Sequence, residues 1–300
     1  MTRGHDEIRL EASEFRLLRD LFNSFSGLYF GPEARPVLER RLRERLAVHH
    51  LRSFSEYYQR FFQNGGKAEL EEAIELVAVH ETYFFREDYQ LEALKNKILP
   101  TLLSGPGSRT RMSIWSAGCS TGEEVYSIAV AIRESGLDRK CDIRVFGSDI
   151  SRKALAVARR GIYGKSAFRA TPSEIRKRYF NEHFDGAQVG DEIRSLCSFG
   201  QLNLMDTPRT AIVGRVDVIF CRNVLIYFDE VSRRRVIETF YERLNPGGFL
   251  LLGHSESLLN ISTAFELCHL REDLVYRKPN WALRLELAGS DSEPEGRSGS

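Results

Sequence analysis

A chain of 300 residues is long enough for one large domain or two ordinary ones and for a substantial buried core. With 42% apolar and 28% charged residues it has neither a disordered nor a membrane-spanning composition, and 43 basic against 42 acidic side chains exclude an electrostatic grip on a polynucleotide over the whole surface. Cys119, Cys141, Cys197, Cys221 and Cys268 form no Cys-x-x-Cys pair, the histidines offer no metal spacing, and the first residues lack a signal peptide's basic start and apolar run, so a reduced, cytoplasmic protein without a metal site is expected.

Residues 1–12 are expected to lack fixed structure. From 13 to 80 the apolar residues recur at helical spacing: Phe15, Leu18 and Phe22; Leu38, Leu42 and Leu46; then Phe54, Tyr57, Phe61 and Phe62. Ser13 is placed to cap the first helix, Gly27, Gly31 and Pro32 break the chain before the second, and a further helix covers Lys67–Val79. Residues 81–110 read as a linker. From Arg111 onward four runs, MSIWSA, IRVFGSD, VDVIFCRN and GFLLLGHSES, are apolar on both faces, as in strands of a mostly parallel sheet covered by helices. Helices are predicted over Glu123–Glu134, Ser151–Arg160 and Asp229–Leu244, a turn over Asn245-Pro246-Gly247-Gly248, and a hairpin from Phe265–Cys268 and Leu274–Tyr276. Residues 280–300 form a tail, without apolar content to bury from about 288.

The segment Ile114–Glu124 is a buried strand entering a small-residue turn and then a helix, in which Gly118 and Gly122 allow a ligand close to the backbone. The next strand ends in Gly147-Ser148-Asp149, and an acid at that tip accepts ribose hydroxyls in Rossmann-like sites. Asp149 could equally cap the helix that starts near Ser151. There is no P-loop. Glu123 and Glu124 in the first helical turn disfavour phosphate and suit a cation, although they could also simply stabilise the helix dipole. S-adenosylmethionine, with a sulfonium, an ammonium and no phosphate, fits this pattern.

Five strings occur in order: Glu81-Thr82-Tyr83-Phe84-Phe85-Arg86, Ala117-Gly118-Cys119-Ser120-Thr121-Gly122-Glu123-Glu124, Cys221-Arg222-Asn223-Val224-Leu225-Ile226-Tyr227-Phe228, Pro246-Gly247-Gly248 and Gly253-His254-Ser255-Glu256-Ser257. Together they closely resemble the CheR-type chemotaxis-receptor glutamate methyltransferases, from about Phe15 to Lys278. The resemblance implies an α/β fold: a Rossmann-like methyltransferase domain over 111–279, an N-terminal helical domain and a small β-rich insertion at about 180–199. It implies methyl transfer from S-adenosylmethionine, leaving S-adenosylhomocysteine, to glutamates on a receptor's cytoplasmic helices.

By motif, His80, Thr82 and Arg86 would contact the cofactor, Glu123 its ammonium and Asp149 its ribose. Asn203 and Leu204 would lie beside the adenine, with Arg222 and Asn223 closing the pocket. Arg86 and Tyr227 would act on the methyl-transfer step. A glutamate carboxylate, with an ordinary pKa of about 4.3, is already an anionic nucleophile, so no general base is required. The stripe Leu38, Leu42, Leu46 leaves Arg40, Arg41, Arg43 and Arg45 facing solvent. The matching helix in the family faces the receptor's acidic helices, so they are candidate substrate contacts; the plain alternative is a solvated face. A monomer is expected, without nucleic acid and without membrane insertion; a cofactor-binding scaffold or a methyltransferase of another protein are the competing readings.

Overall fold

The computed structural model describes residues 8–63, 65–104, 110–270 and 273–280. Four helices, α1 (Ala12–Ser26), α2 (Arg35–Val48), α3 (Phe54–Phe61) and α4 (Lys67–Val77), make the N-terminal part. The helical spacing becomes packing: Phe15, Leu18 and Phe22 of α1 meet Leu38, Leu42 and Leu46 of α2, Phe54 and Tyr57 of α3, and Ile74 and Val77 of α4 in one core. Two expectations are corrected here. Ser13 is not the cap of α1; the N-cap is Glu11, whose N–H is taken by the Glu14 carboxylate at 2.9 Å, so Ser13 lies in the first turn. Residues 1–7 lie outside the described residues, but Leu10 is fixed: its side chain is buried and its N–H donates to Glu39 at 2.8 Å.

The stretch read as a linker is largely helical. α5 (Asp88–Ala93), a π-helical turn over Leu94–Ile98 and α6 (Leu99–Leu103) run continuously, burying Leu91, Leu94, Ile98, Leu99 and Leu102. Pro100 has no N–H to donate, and a wider turn just before it is the common response of a helix to such an interruption.

Ten strands follow among the described residues: β1 (Arg111–Ala117), β2 (Asp142–Asp149), β3 (Ile162–Tyr163), β4 (Phe180–His183), β5 (Gly186–Val189), β6 (Cys197–Gln201), β7 (Val216–Cys221), β8 (Leu244–Leu252), β9 (Glu266–Leu270) and β10 (Asp273–Arg277). Between them lie α7 (Glu123–Ser135), α8 (Arg152–Arg160), α9 (Ser173–Tyr179), α10 (Asp191–Arg194), α11 (Thr207–Thr210) and α12 (Glu230–Arg243). The main sheet has the order β6-β2-β1-β7-β8-β10-β9; β6, β2, β1, β7 and β8 are parallel, and β10 and β9 run antiparallel at one side. Alternate residues feed opposite layers: Ile114, Val218 and Phe220 enter one core, Trp115, Ile219 and Cys221 the other. Asn245–Gly248 loop out of β8, since Leu244 pairs with Val216 and Phe249 with Val218, so the predicted turn is a bulge inside the strand.

The β-rich insertion also differs from its expected bounds. β3, β5 and β4 form a separate antiparallel sheet, whereas Cys197, Ser198 and Phe199 belong to β6 of the main sheet, paired with β2. The strand order reverses direction between β1 and β7, which opens a crevice at their C-terminal ends. The helical part closes over that crevice. Leu28 bridges Phe228, the Tyr29 N–H donates to the Tyr227 carbonyl at 2.7 Å, and Asn23 donates to Asp229 at 2.7 Å.

Candidate active site

The turn after β1 is shaped by its backbone. Gly118 has φ +79°, and a Cβ there would stand 2.5 Å from Val224 on the loop after β7, so only glycine allows the two loops to touch. The Ser120 N–H donates to Asp149 Oδ2 at 2.7 Å and the Ser151 N–H to Oδ1 at 2.9 Å. Ser151 itself caps α8, accepting from the Ala154 N–H at 2.9 Å, so Asp149 is not the cap; it ties the β1 turn to the β2 tip. Burial pushes its carboxyl above the usual range, partly offset by the two N–H groups and the nearby His80.

A cleft of about 960 Å³, including its open mouth, lies over these loops and is lined by both parts of the chain. It brings together His80, Thr82, Arg86, Asp149, Asn203, Leu204, Arg222, Asn223 and Tyr227 from segments scattered over the sequence. Glu123 is the exception. It is buried behind the turn, accepting from the Thr121 hydroxyl at 2.6 Å, and burial raises its pKa; the acid that lines the cleft is its neighbour Glu124. Gly122 is likewise turned away, its α-carbon facing Ala158 of α8 rather than the cleft.

Arg222 is almost wholly buried. Its Nε donates to Glu124 Oε2 and its Nη1 to the Arg86 carbonyl, both at 2.7 Å, so it pins β7, the first turn of α7 and the segment before α5 together. Ser116 donates to the other Glu124 oxygen at 2.7 Å. Asn203 is also committed: its amide donates to the Phe25 carbonyl at 2.6 Å and its Oδ1 accepts from Met205 at 3.0 Å. Its part in the cleft is therefore to fix the loop beside Leu204.

Glu256, not singled out from the sequence for any role, gathers four backbone N–H groups: Gly253 at 2.7 Å, Asn223 at 2.8 Å, Val224 at 3.0 Å and Ile226 at 3.2 Å. It thereby sets the loop that carries Tyr227. Burial raises the Tyr227 phenol, with Arg86 pulling the other way, and the hydroxyl stays protonated at neutral pH. Arg86 donates to the Glu81 carbonyl at 3.1 Å and lies 5.8 Å from the Tyr83 ring centroid.

Two buried polar atoms on the cleft wall, Ser120 Oγ and His80 Nε2, have no protein partner. Such orphans are costly unless a ligand completes them. With Asp149 for a diol, apolar Leu204 and Ile150 for a base, and the Arg222–Glu124 pair opposite a zwitterion, the donor set fits S-adenosylmethionine. Ser120 and Glu124 both stand in the small-residue string, so their proximity to the site had a sequence signal. Which of two adjacent acids turns inward had none.

The α2 arginines do not form the free row the pattern predicts. Arg45 is paired with buried Glu69 at 2.6 Å, Arg43 donates to the Ile8 carbonyl and pairs with Glu39, and Arg41 donates to the Val77 and Ala78 carbonyls at the C-terminal end of α4. Arg40 alone of the four stays exposed.

Two family models match the chain: "CheR methyltransferase, all-alpha domain" over residues 13–78 and "CheR methyltransferase, SAM binding domain" over 80–274. Chemotaxis protein methyltransferase 2 of Vibrio cholerae serotype O1 is 39% identical over 279 residues, covering 92% of this chain and 96% of that protein. Chemotaxis protein methyltransferase 1 of Pseudomonas aeruginosa is 34% identical over 272 residues, covering 88% and 97%. With a Rossmann-like sheet, a helical N-terminal part and a cleft suited to S-adenosylmethionine, the chain belongs to the CheR methyltransferase family.

Proposed function

We propose that the chain esterifies glutamate side chains on the cytoplasmic helices of a chemotaxis receptor, acting in the cytoplasm as a monomer. The observation that carries this reading is the meeting of Arg86 and Tyr227 in one cleft with Asp149, Thr82 and the Asn203–Leu204 loop. The names of the relatives support it. When bound, S-adenosylmethionine supplies an electrophilic methyl group on a sulfonium, and its transfer to a carboxylate oxygen cancels both charges.

Asp149 holds the ribose, and His80, Thr82 and Ser120 complete the wall around it. Glu124 and Arg222 face the amino-acid end, taking the role first assigned to Glu123. Arg86 orients the acceptor carboxylate by charge-assisted hydrogen bonds, and the Tyr227 hydroxyl directs the acceptor oxygen. Because the nucleophile is already ionised, the residues act by alignment and by excluding water rather than by moving a proton. Arg40 contributes to receptor docking from outside the cleft. The test is incubation of the protein with methyl-labelled S-adenosylmethionine and receptor-containing membranes. Base-labile label on the receptor is expected; none, or label stable to base, would overturn the reading.

A further inference from the structure

With Arg41, Arg43 and Arg45 engaged by internal partners, α2 offers the acceptor less positive charge than its sequence suggests, and a second basic segment lies nearer the cleft. Residues 164–179 contain Lys165, Arg169, Arg176, Lys177 and Arg178 against the single acid Glu174. This segment packs beside the cleft mouth: the Arg169 guanidinium lies 3.7 Å from the centroid of Tyr83, a cleft-lining ring that Arg86 also approaches. The π face attracts the cation lying over it, and the N–H groups that Glu81 does not take remain available to a second carboxylate. Its ion partner, Glu81 at 3.4 Å, is 71% exposed, and an exposed pair of this kind is weak and easily exchanged for another carboxylate.

We propose that Arg169, laid on Tyr83, recognises an acidic acceptor segment at the cleft mouth by pairing with a carboxylate flanking the one to be methylated. This rests on the reading of the acceptor as a protein glutamate. A planar guanidinium suits the task because it can take a carboxylate with two parallel hydrogen bonds, which an ammonium does not. Arg169 also lies just outside the reacting centre, so it selects the substrate without touching the methyl group.

The test uses the full chain loaded with S-adenosylhomocysteine and a fluorescent, glutamate-rich helical peptide, read by anisotropy at low and high salt. Arg169→Met keeps a side chain over Tyr83 and removes the charge; it should weaken peptide binding about tenfold and flatten its salt dependence, with cofactor affinity unaltered. Arg169→Lys should fall between the two. Lys140→Met, at the opposite ends of the strands, controls for net charge and should bind as the parent does. Equal peptide binding by Arg169→Met and the parent, or no binding by the parent, overturns the inference. Receptor methylation judges the underlying reading separately. If the parent esterifies the receptor and Arg169→Met has the parental KM, this inference fails and the function stands; if no ester forms while Arg169→Met still weakens peptide binding, the proposed function fails and the acceptor half of this inference fails with it, leaving Arg169 as a contact for acidic segments only.

Discussion

Glu256 holds its loop through four N–H groups that approach one carboxylate from two directions. An amide in its place would turn two N–H groups of its own toward some of those donors. Glu256→Gln is therefore expected to lower kcat about tenfold or more, the equivalent of ~1.5–3 kcal/mol for hydrogen bonds to a charged group, with a smaller change in cofactor affinity. Steady-state kinetics beside calorimetric S-adenosylhomocysteine binding separate the two; an unchanged kcat would show that the loop keeps its shape unaided. Asp149→Asn should weaken S-adenosylhomocysteine binding by ~1.5–3 kcal/mol. The pH dependence has a definite sign. Burial raises the Asp149 pKa and the bound ribose favours the ionised acceptor, so affinity should fall on acidification beginning above the ordinary carboxylate range, and the asparagine variant should lose that slope. Arg86→Ala should reduce kcat with little effect on acceptor KM if its contact is made in the transition state; parental kcat would put the methyl-transfer site elsewhere. The readable residues were those inside unusual strings, such as Arg86, Asn223 and Tyr227. The task of Glu256 was not readable, because its partners Asn223, Val224 and Ile226 lie about thirty residues away and are backbone groups that carry no sequence signal.

At the scale of elements, α2 is held to α4 by a buried cluster rather than by its leucines alone. Glu69 accepts from Arg45 on both oxygens, from Tyr57 at 2.6 Å, and lies 3.0 Å from His49. Burial opposes its ionisation, but the hydrogen bonds from Arg45, Tyr57 and His49 win and hold its pKa below the usual value. The stability it contributes is thus full above the unfolded carboxylate range and is lost as pH falls through the depressed folded value. Glu69→Gln strands Arg45 and should cost about 3 kcal/mol, the low end for a broken buried pair because Arg45 keeps some solvent contact. Denaturant melts at neutral and acid pH should show the difference shrinking as the parent is acidified; a constant difference would count against the cluster. The same cluster explains why α2 looked like a free basic face in the sequence: periodicity places Arg45 beside the apolar stripe but is silent about an acid on another helix. The helix from α5 to α6 was missed, since 81–110 was read as a linker although Leu91, Leu94, Ile98 and Leu102 recur at helical spacing. β6 was not legible, since as an edge strand it is only partly buried and lacks the continuous apolar run of β7.

Across the whole molecule the two parts share their ligand. The cleft takes Ser26 and Leu28 from one side and Asp149 and Tyr227 from the other, and Glu75 of α4 accepts from the Ser151 hydroxyl at 2.6 Å and from the Arg152 N–H. Saturating S-adenosylhomocysteine, at a hundredfold over its Kd, should add ~2.7 kcal/mol to stability and raise a single cooperative transition. Glu75→Gln should separate that transition into two or broaden it while weakening the cofactor; scanning calorimetry reads both, and a parent that already melts in two steps with only the later one moved by ligand would refute the coupling.

The bond from the Tyr29 N–H to the Tyr227 carbonyl joins the two stretches of chain on either side of residue 79. The stretch before residue 79 gives Ser26, Leu28 and Ala78 to the cofactor wall and the stretch after it gives the rest, so neither contains the whole wall. A chain nicked between Ala78 and His80 is expected to become a split protein whose fragments recognise each other through the Leu28–Phe228 bridge and the shared cleft wall, with S-adenosylhomocysteine as the glue that drives their reassembly.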